Sequence, residues 1–370
     1  MLTGILIFVG GVFLMIFVHE LGHFLTAKRF GIKVEEFFIG FGPRLWSFRR
    51  GETEYGFKAI PVGGYVKIAG MNPLEEPAPE DRTRLFTSKP KWQRAIVLAA
   101  GAFTHFLLAF LLLGALVWFV GIPGERPAVG AVLEQIGGQT SPAAQAGLRP
   151  GDVFIELDGQ PVLYDTLGDY LTEHAGEPLQ IVVRRGDELI TVEATAVTAT
   201  VEGQPRGRLG ILIDRESVRL GPLEGLSAVG SGLGQMVIGS FEGMGRAFGP
   251  EGIGKIGDAI FGGRERTIND PVGVVGVGRV AGQLVQAGLF GAILEMFAFF
   301  NVFVGILNIL PLPPLDGGHL AVLGFEAVTG RKVSPRTLIP ITAVVAGFLI
   351  LMTFSLLYLD IASPIPNPFG

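Results

Sequence analysis

Residues 4–27 read GILIFVGGVFLMIFVHELGHFLTA, and the fold turns on what this stretch is. It is long and apolar enough to cross a bilayer as one helix. Yet its second half carries His19, Glu20 and His23. An ionisable group at membrane depth costs about 2.5–3.5 kcal/mol on insertion scales, so such residues are kept for a purpose. On a helix, positions i and i+4 share a face, and His19 and His23 can reach one ion together. Glu20 is placed to take a proton from a water at that ion. Zinc suits two imidazoles and pulls the pKa of water toward ~7. Met1-Leu2-Thr3 brings no positive side chain, and the run ends in Lys28-Arg29 rather than small residues. The stretch therefore reads as a retained helix, not a cleaved leader.

The rest of the chain agrees with a membrane setting. Of 370 residues, 49% are hydrophobic and 17% charged, and mean hydropathy is +0.49, too apolar for an ordinary soluble enzyme. Three more runs are span-length: Ala95–Val120, Phe290–Leu312 and Ile339–Leu359. The absence of cysteine excludes disulfides and thiolate metal sites, so any metal falls to the five histidines and to carboxylates. Segment 28–94 has 13 Lys/Arg against 8 Asp/Glu, whereas 122–288 has 13 against 21. With Arg331, Lys332 and Arg336 in the loop 313–338, the positive-inside rule puts 28–94 and that loop in the cytoplasm. Both termini and 122–288 then lie outside.

The expected organisation follows. A first span occupies 1–28, a membrane-associated β region with its linker 29–94, and a second span 95–121. A globular unit fills 122–200 and a connector 201–289, with its helices along the outer membrane surface. A third span covers 290–318, a cytoplasmic loop 319–338, and a fourth span with its tail 339–370. The β elements are Ile32–Ile39, Trp46–Arg49, Glu54–Ile60 and Tyr65–Ala69, punctuated by Pro43, Pro61 and Gly63-Gly64. Residues 71–91 form a polar, Pro-rich connection. Within 122–200, SPAAQAGLRPGDVFIELDGQPV (141–162) resembles the PDZ-domain signature, a fold that binds chain ends by strand addition.

Two histidines leave zinc short of a third protein ligand. The stretch NILPLPPLDGGH (308–319) offers Asp316, with Gly317-Gly318 permitting close backbone approach. Taken alone, it reads better as a Pro–Asp–Gly turn at a helix exit. The topology favours a ligand: His19, His23 and Asp316 all fall in the cytoplasmic half of the membrane.

HELGH and NILPLPPLDGGH resemble the first- and third-helix zinc motifs of the site-2 protease family of intramembrane metalloproteases. EYGFKAIPVGGYVKIAGM (54–71), the single PDZ-like unit and Asp270-Pro271-Val272-Gly273 resemble its bacterial regulator-of-sigma-E branch. The resemblance implies an α-helical membrane protein with four transmembrane helices, a membrane-associated β element and an inserted extracytoplasmic PDZ domain. It implies a zinc endopeptidase with His19, His23 and Asp316 as ligands, Glu20 as catalytic base, and Asn308 holding the substrate backbone. The 54–69 region, with Gly63, Gly64 and Tyr65, would offer an edge strand to an unwound substrate. The substrates implied are single-pass membrane proteins such as anti-sigma factors or remnant signal peptides, trimmed outside beforehand. The bilayer and a peptide or chain end at the PDZ domain are further partners; nucleic acid is not expected.

Two departures stand out. The branch often carries two PDZ units, and its second helix has G-P-x-x-N where this chain reads Gly101-Ala-Phe-Thr-His105. His105 either lends polar support to substrate or oxyanion, or is a helix histidine bonded to a neighbour. The competing class, a non-catalytic membrane-anchored PDZ adaptor, leaves His19, Glu20, His23 and Asp316 without a task. A metal transporter would need more polar residues along its helices.

Overall fold

The computed structural model describes residues 2–72, 79–136, 139–201, 204–286 and 288–366. Parts of two expected segments, 73–78 in the Pro-rich connection and 367–370 in the tail, lie outside these residues. Helix α1 (Leu2–Arg29) ends where Lys28 and Arg29 complement the helix dipole and Gly31, at φ +65°, turns the chain. The chain then pairs β1 (Val34–Arg50) with β2 (Thr53–Ile68). Each strand is long and broken in register. Phe37–Ile39 faces both Gly64–Val66 and Tyr55–Phe57, while Trp46–Arg50 faces Thr53–Phe57. The four expected β elements are thus halves of two bent strands. Phe38 and Ile39 are buried, whereas Trp46, Phe48 and Phe57 are exposed.

Helix α2 (Lys91–Ala115) follows and continues as one π-helical stretch, Leu116–Val120. It lies close against α1: a Cβ on Gly22 would meet the Ala100 carbonyl oxygen at 2.7 Å. Small residues at such crossings let membrane helices pack backbone to backbone.

Val117–Pro222 is a compact unit of its own. It contains β3 (Ile122–Val132), α3 (Pro142–Gln145), β4 (Val153–Leu157), α4 (Tyr164–Glu173), β5 (Pro178–Arg185) and β6 (Glu188–Thr195). Three further strands are β7 (Val197–Val201), β8 (Gln204–Arg208) and β9 (Ile211–Val218). The main sheet runs β9-β3-β4-β5-β6, with Gln160–Pro161 beside β4, and β7 pairs with β8. Ser141 caps α3 by accepting from the Ala144 N–H at 3.2 Å, and Gly147 at φ +72° follows it. Phe154, Leu157, Leu167, Leu179, Ile181 and Leu209 form the core. The expected boundary at 200 is too early. Residues 204–218, expected in the connector, supply two strands, one of them in the main sheet.

Asp152 ties this unit together. Its carboxylate accepts from Arg185 Nε and Nη2, each at 2.7 Å, and from the Arg149 N–H at 2.8 Å. Burial would raise its pKa, but the Arg185 and Arg149 hydrogen bonds outweigh that and hold it below the ordinary carboxylate value. Because the folded value is depressed, the stabilisation is complete above the unfolded value near ~4 and fades as pH falls through the folded one. Asp152→Asn should therefore lower the melting temperature of the unit at pH 7. The gap from wild type should narrow below pH ~4, as circular dichroism melts across pH would read.

The remaining helices are α5 (Pro222–Phe248), α6 (Pro250–Phe261), α7 (Val274–Gln286), α8 (Phe290–Ile309), α9 (Asp316–Thr329) and α10 (Pro335–Ala362). Four helices, carrying Leu6–Arg29, Lys91–Val120, Phe290–Ile309 and Pro335–Ala362, are long and apolar enough to cross a membrane. The third ends nine residues before the expected 318. Pro311, Pro313 and Pro314 cannot continue a helix, and Asp316 opens the new helix α9 inside the stretch read as the third span and its loop. Helix α7 packs on the first half of α1, with Ala281 and Leu284 around Phe8, Ile293 and Phe297. Arg266 and Asp360 form a buried ion pair at 3.3 Å, and the Gly276 N–H donates to Asp360 Oδ2 at 2.7 Å, joining α7 to the end of α10.

Candidate metal centre

The two histidines of HELGH lie one turn apart on α1, with Nε2 atoms 3.3 Å from each other. Asp316 Oδ2 sits 3.5 Å from His19 Nε2 and 3.2 Å from His23 Nε2. Three donor atoms from both ends of the chain thus face one point, and all lie within 4.8 Å of one another. Asp316 reaches there because of the turn before it. A Cβ on Gly317 would lie 2.0 Å from the Ile309 carbonyl oxygen, and one on Gly318 2.2 Å from the Pro313 nitrogen. Only glycine permits so tight a return of α9 onto the end of α8.

The donor set fits a metal. Asp316 Oδ2 is buried and has no hydrogen-bond partner among the described residues, an arrangement costly for a carboxylate oxygen unless a cation meets it. Two imidazole nitrogens and one carboxylate oxygen are ligands that zinc accepts, with a position left open. His23 Nδ1 bonds to the Val97 carbonyl at 2.7 Å, which directs Nε2 toward the cluster. Gly101 on α2 clears the space: a Cβ there would lie 2.3 Å from His23 Nε2 and 2.5 Å from His19 Cε1.

Glu20 points toward β2. A Cβ on Gly64 would lie 3.1 Å from Glu20 Cγ, and the Glu20 carboxylate interacts with the Val66 backbone N–H. His105 is buried against His19, with ring centroids 4.9 Å apart. Gly63, at φ +91°, packs on Phe41. The Tyr65 hydroxyl donates to Glu36 and accepts from Lys58 Nζ at 2.6 Å, so this side chain serves the sheet. Asn308 is half-buried on the last turn of α8.

Sequence reasoning missed three participants: the Val97 carbonyl, the clearance at Gly101, and Asn301. Asn301 is 1% exposed and bonds to His105 at 3.2 Å. The signal for it was available: it is an amide inside an apolar run, two turns before Asn308.

Comparison with known proteins agrees with this geometry. The model of "Peptidase family M50" matches residues 7–353. "Zinc metalloprotease Rip1" of Mycobacterium tuberculosis (strain H37Rv) is 34% identical over 364 residues, covering 90% of this chain and 88% of that protein. "Putative zinc metalloprotease all3971" of Nostoc sp. is 32% identical over 334 residues, covering 87% and 86%. A putative zinc metalloprotease of Rhizobium meliloti is 32% identical over 347 residues, with 87% and 86% covered. With a family match spanning nearly the whole chain and a HELGH helix meeting a distant aspartate, this protein belongs to peptidase family M50, the site-2 proteases.

Proposed function

We propose that the chain is an intramembrane zinc endopeptidase whose site is held by His19, His23 and Asp316. The convergence of these three side chains carries the reading. Zinc bound there would supply a Lewis acid for the scissile carbonyl and acidify water at the site. Glu20 accepts the proton from the attacking water and delivers it to the leaving amine. The backbone of Gly63, Gly64 and Tyr65 lies along β2 beside Glu20, where an unwound substrate can add as a strand and satisfy groups that lipid cannot. Asn308 holds the other side of that strand.

The charge distribution supports a topology with both termini outside and the site near the cytoplasmic leaflet. The exposed Trp46, Phe48 and Phe57 of the β1–β2 hairpin suit an interface with lipid headgroups. We read Val117–Pro222 as an extracytoplasmic PDZ domain that gates access or docks a chain end. A cavity of about 570 Å³ between α4 and β9, lined by Leu171, Leu209, Ile211 and Ile213 with Arg206 and Arg208, supports docking. Substrates are single-pass membrane proteins already trimmed outside, anti-sigma factors among them.

Asp316→Asn tests the ligand set. It keeps the size of the side chain and removes the charge, so zinc affinity should fall by more than the ~10–100-fold typical of losing an outer-shell partner. Metal content of the purified variant after dialysis would show this. Zinc retained as in wild type would remove Asp316 from the site.

A further inference from the structure

The two histidine ligands are held in different ways. His23 is oriented by its hydrogen bond to the Val97 carbonyl. His19 is held less firmly: its Nδ1 is buried without a hydrogen bond of full geometry among the described residues. The Gly101 carbonyl is its backbone partner on α2, at looser geometry than the Val97 carbonyl offers His23. A ligand ring whose second nitrogen lacks a firm partner is less well fixed about its side-chain torsions, which weakens a metal site. His105 meets the ring instead, inclined at 37° to it.

His105 is itself clamped. It is 3% exposed, and its Nδ1 bonds to Asn301 Oδ1. Asn301 donates its amide to the Phe297 carbonyl at 2.8 Å, one turn back on α8. That donation settles which end of the amide faces His105: the oxygen accepts, so His105 Nδ1 carries the proton. Gly305 makes room one turn further on, where a Cβ would come within 3.0 Å of His105 Cβ. A buried amide in an apolar helix is costlier than leucine unless its hydrogen bonds serve something; the one to Phe297 orients the amide, and the one to His105 leads toward His19.

We propose that Asn301 is a positioning residue of the metal centre, fixing the His19 imidazole through the ring of His105. Ring packing does for His19 what a backbone carbonyl does for His23. The inference rests on the ligand set proposed above.

The experiment uses the full-length protein as wild type, Asn301→Leu, Asn301→Ala, His105→Phe and the Asn301→Leu/His105→Phe double variant. Each is loaded with zinc, whose release to a chromogenic chelator is timed, and with Co²⁺, whose visible absorption reports ligand geometry. Asn301→Leu should release zinc about 10-fold faster and shift the Co²⁺ bands. The double variant should lose no more than His105→Phe alone, because residues acting in series do not add. Asn301→Ala supplies the same reading if the leucine variant does not fold. Val302→Ala, a neighbouring buried apolar residue, should lose stability with zinc release unchanged. Wild-type release from the Asn301 variants, or losses that add in the double variant, would overturn the proposal. His19→Ala separates the two levels. If it keeps zinc, the ligand set is wrong; if it loses zinc while the Asn301 variants do not, only the positioning role falls.

Discussion

Glu20→Gln should leave the fold and the zinc content intact and cut proteolysis by about 10²–10⁴-fold. Glutamine has nearly the same shape and helix propensity, so α1 has no reason to change. Its amide oxygen can still meet the Val66 N–H that the carboxylate interacts with now. What disappears is a group able to accept a proton and return it. Neither His19 nor His23 can substitute, since their Nε2 atoms face the cluster with Asp316. Cleavage of a single-pass membrane substrate in proteoliposomes, read beside metal analysis of the same preparation, checks both halves. Normal turnover in this variant would mean that another group is the base.

A comparable loss is expected from one added methyl group. In Gly101→Ala the new Cβ would lie 2.3 Å from His23 Nε2 and 2.5 Å from His19 Cε1, well inside van der Waals contact. His23 cannot yield easily, because its other nitrogen is tied to the Val97 carbonyl on the same helix. The rings must part, and zinc affinity should drop by at least ~100-fold, beyond what losing an outer-shell partner costs. The helix gains rather than suffers, since alanine is favoured over glycine by about 1 kcal/mol. A well-folded, metal-poor protein is the outcome that distinguishes this clash from general damage. Alanine at Gly230 or Gly234, where a Cβ meets nothing within 4 Å, is the matched control. Zinc bound at wild-type strength in Gly101→Ala would show that the two rings do not face one ion beside Gly101.

The proposed ligands were legible because each is anomalous where it stands. Charged or ionisable groups in an apolar helix invite a question, and the i, i+4 spacing answers it for His19 and His23. Asp316 was legible through its glycines and its likeness to a known motif, although the run of apolar residues hid the end of α8. Hydropathy continues through Leu310, Leu312 and Leu315 while the prolines have already stopped the helix. Gly101 and the Val97 carbonyl leave no trace in the sequence, because clearance and backbone hydrogen bonds are tertiary facts. Asn301 was passed over beside Asn308, which had a motif to recommend it. The strands at 204–218 were lost for a different reason: β8 holds mainly polar residues and glycine, and β9 turns charged after Ile213, so neither alternates cleanly.

The metal site also bears on when the protein becomes dangerous to its own membrane. His19 and His23 leave the ribosome nearly 300 residues ahead of Asp316. A domain folds as its chain is delivered, so the nascent polypeptide inserts its opening helix long before it can grip an ion there. Copies terminated before Asp316 therefore lack the third donor, and the metal centre forms only once the two distant segments have both been made.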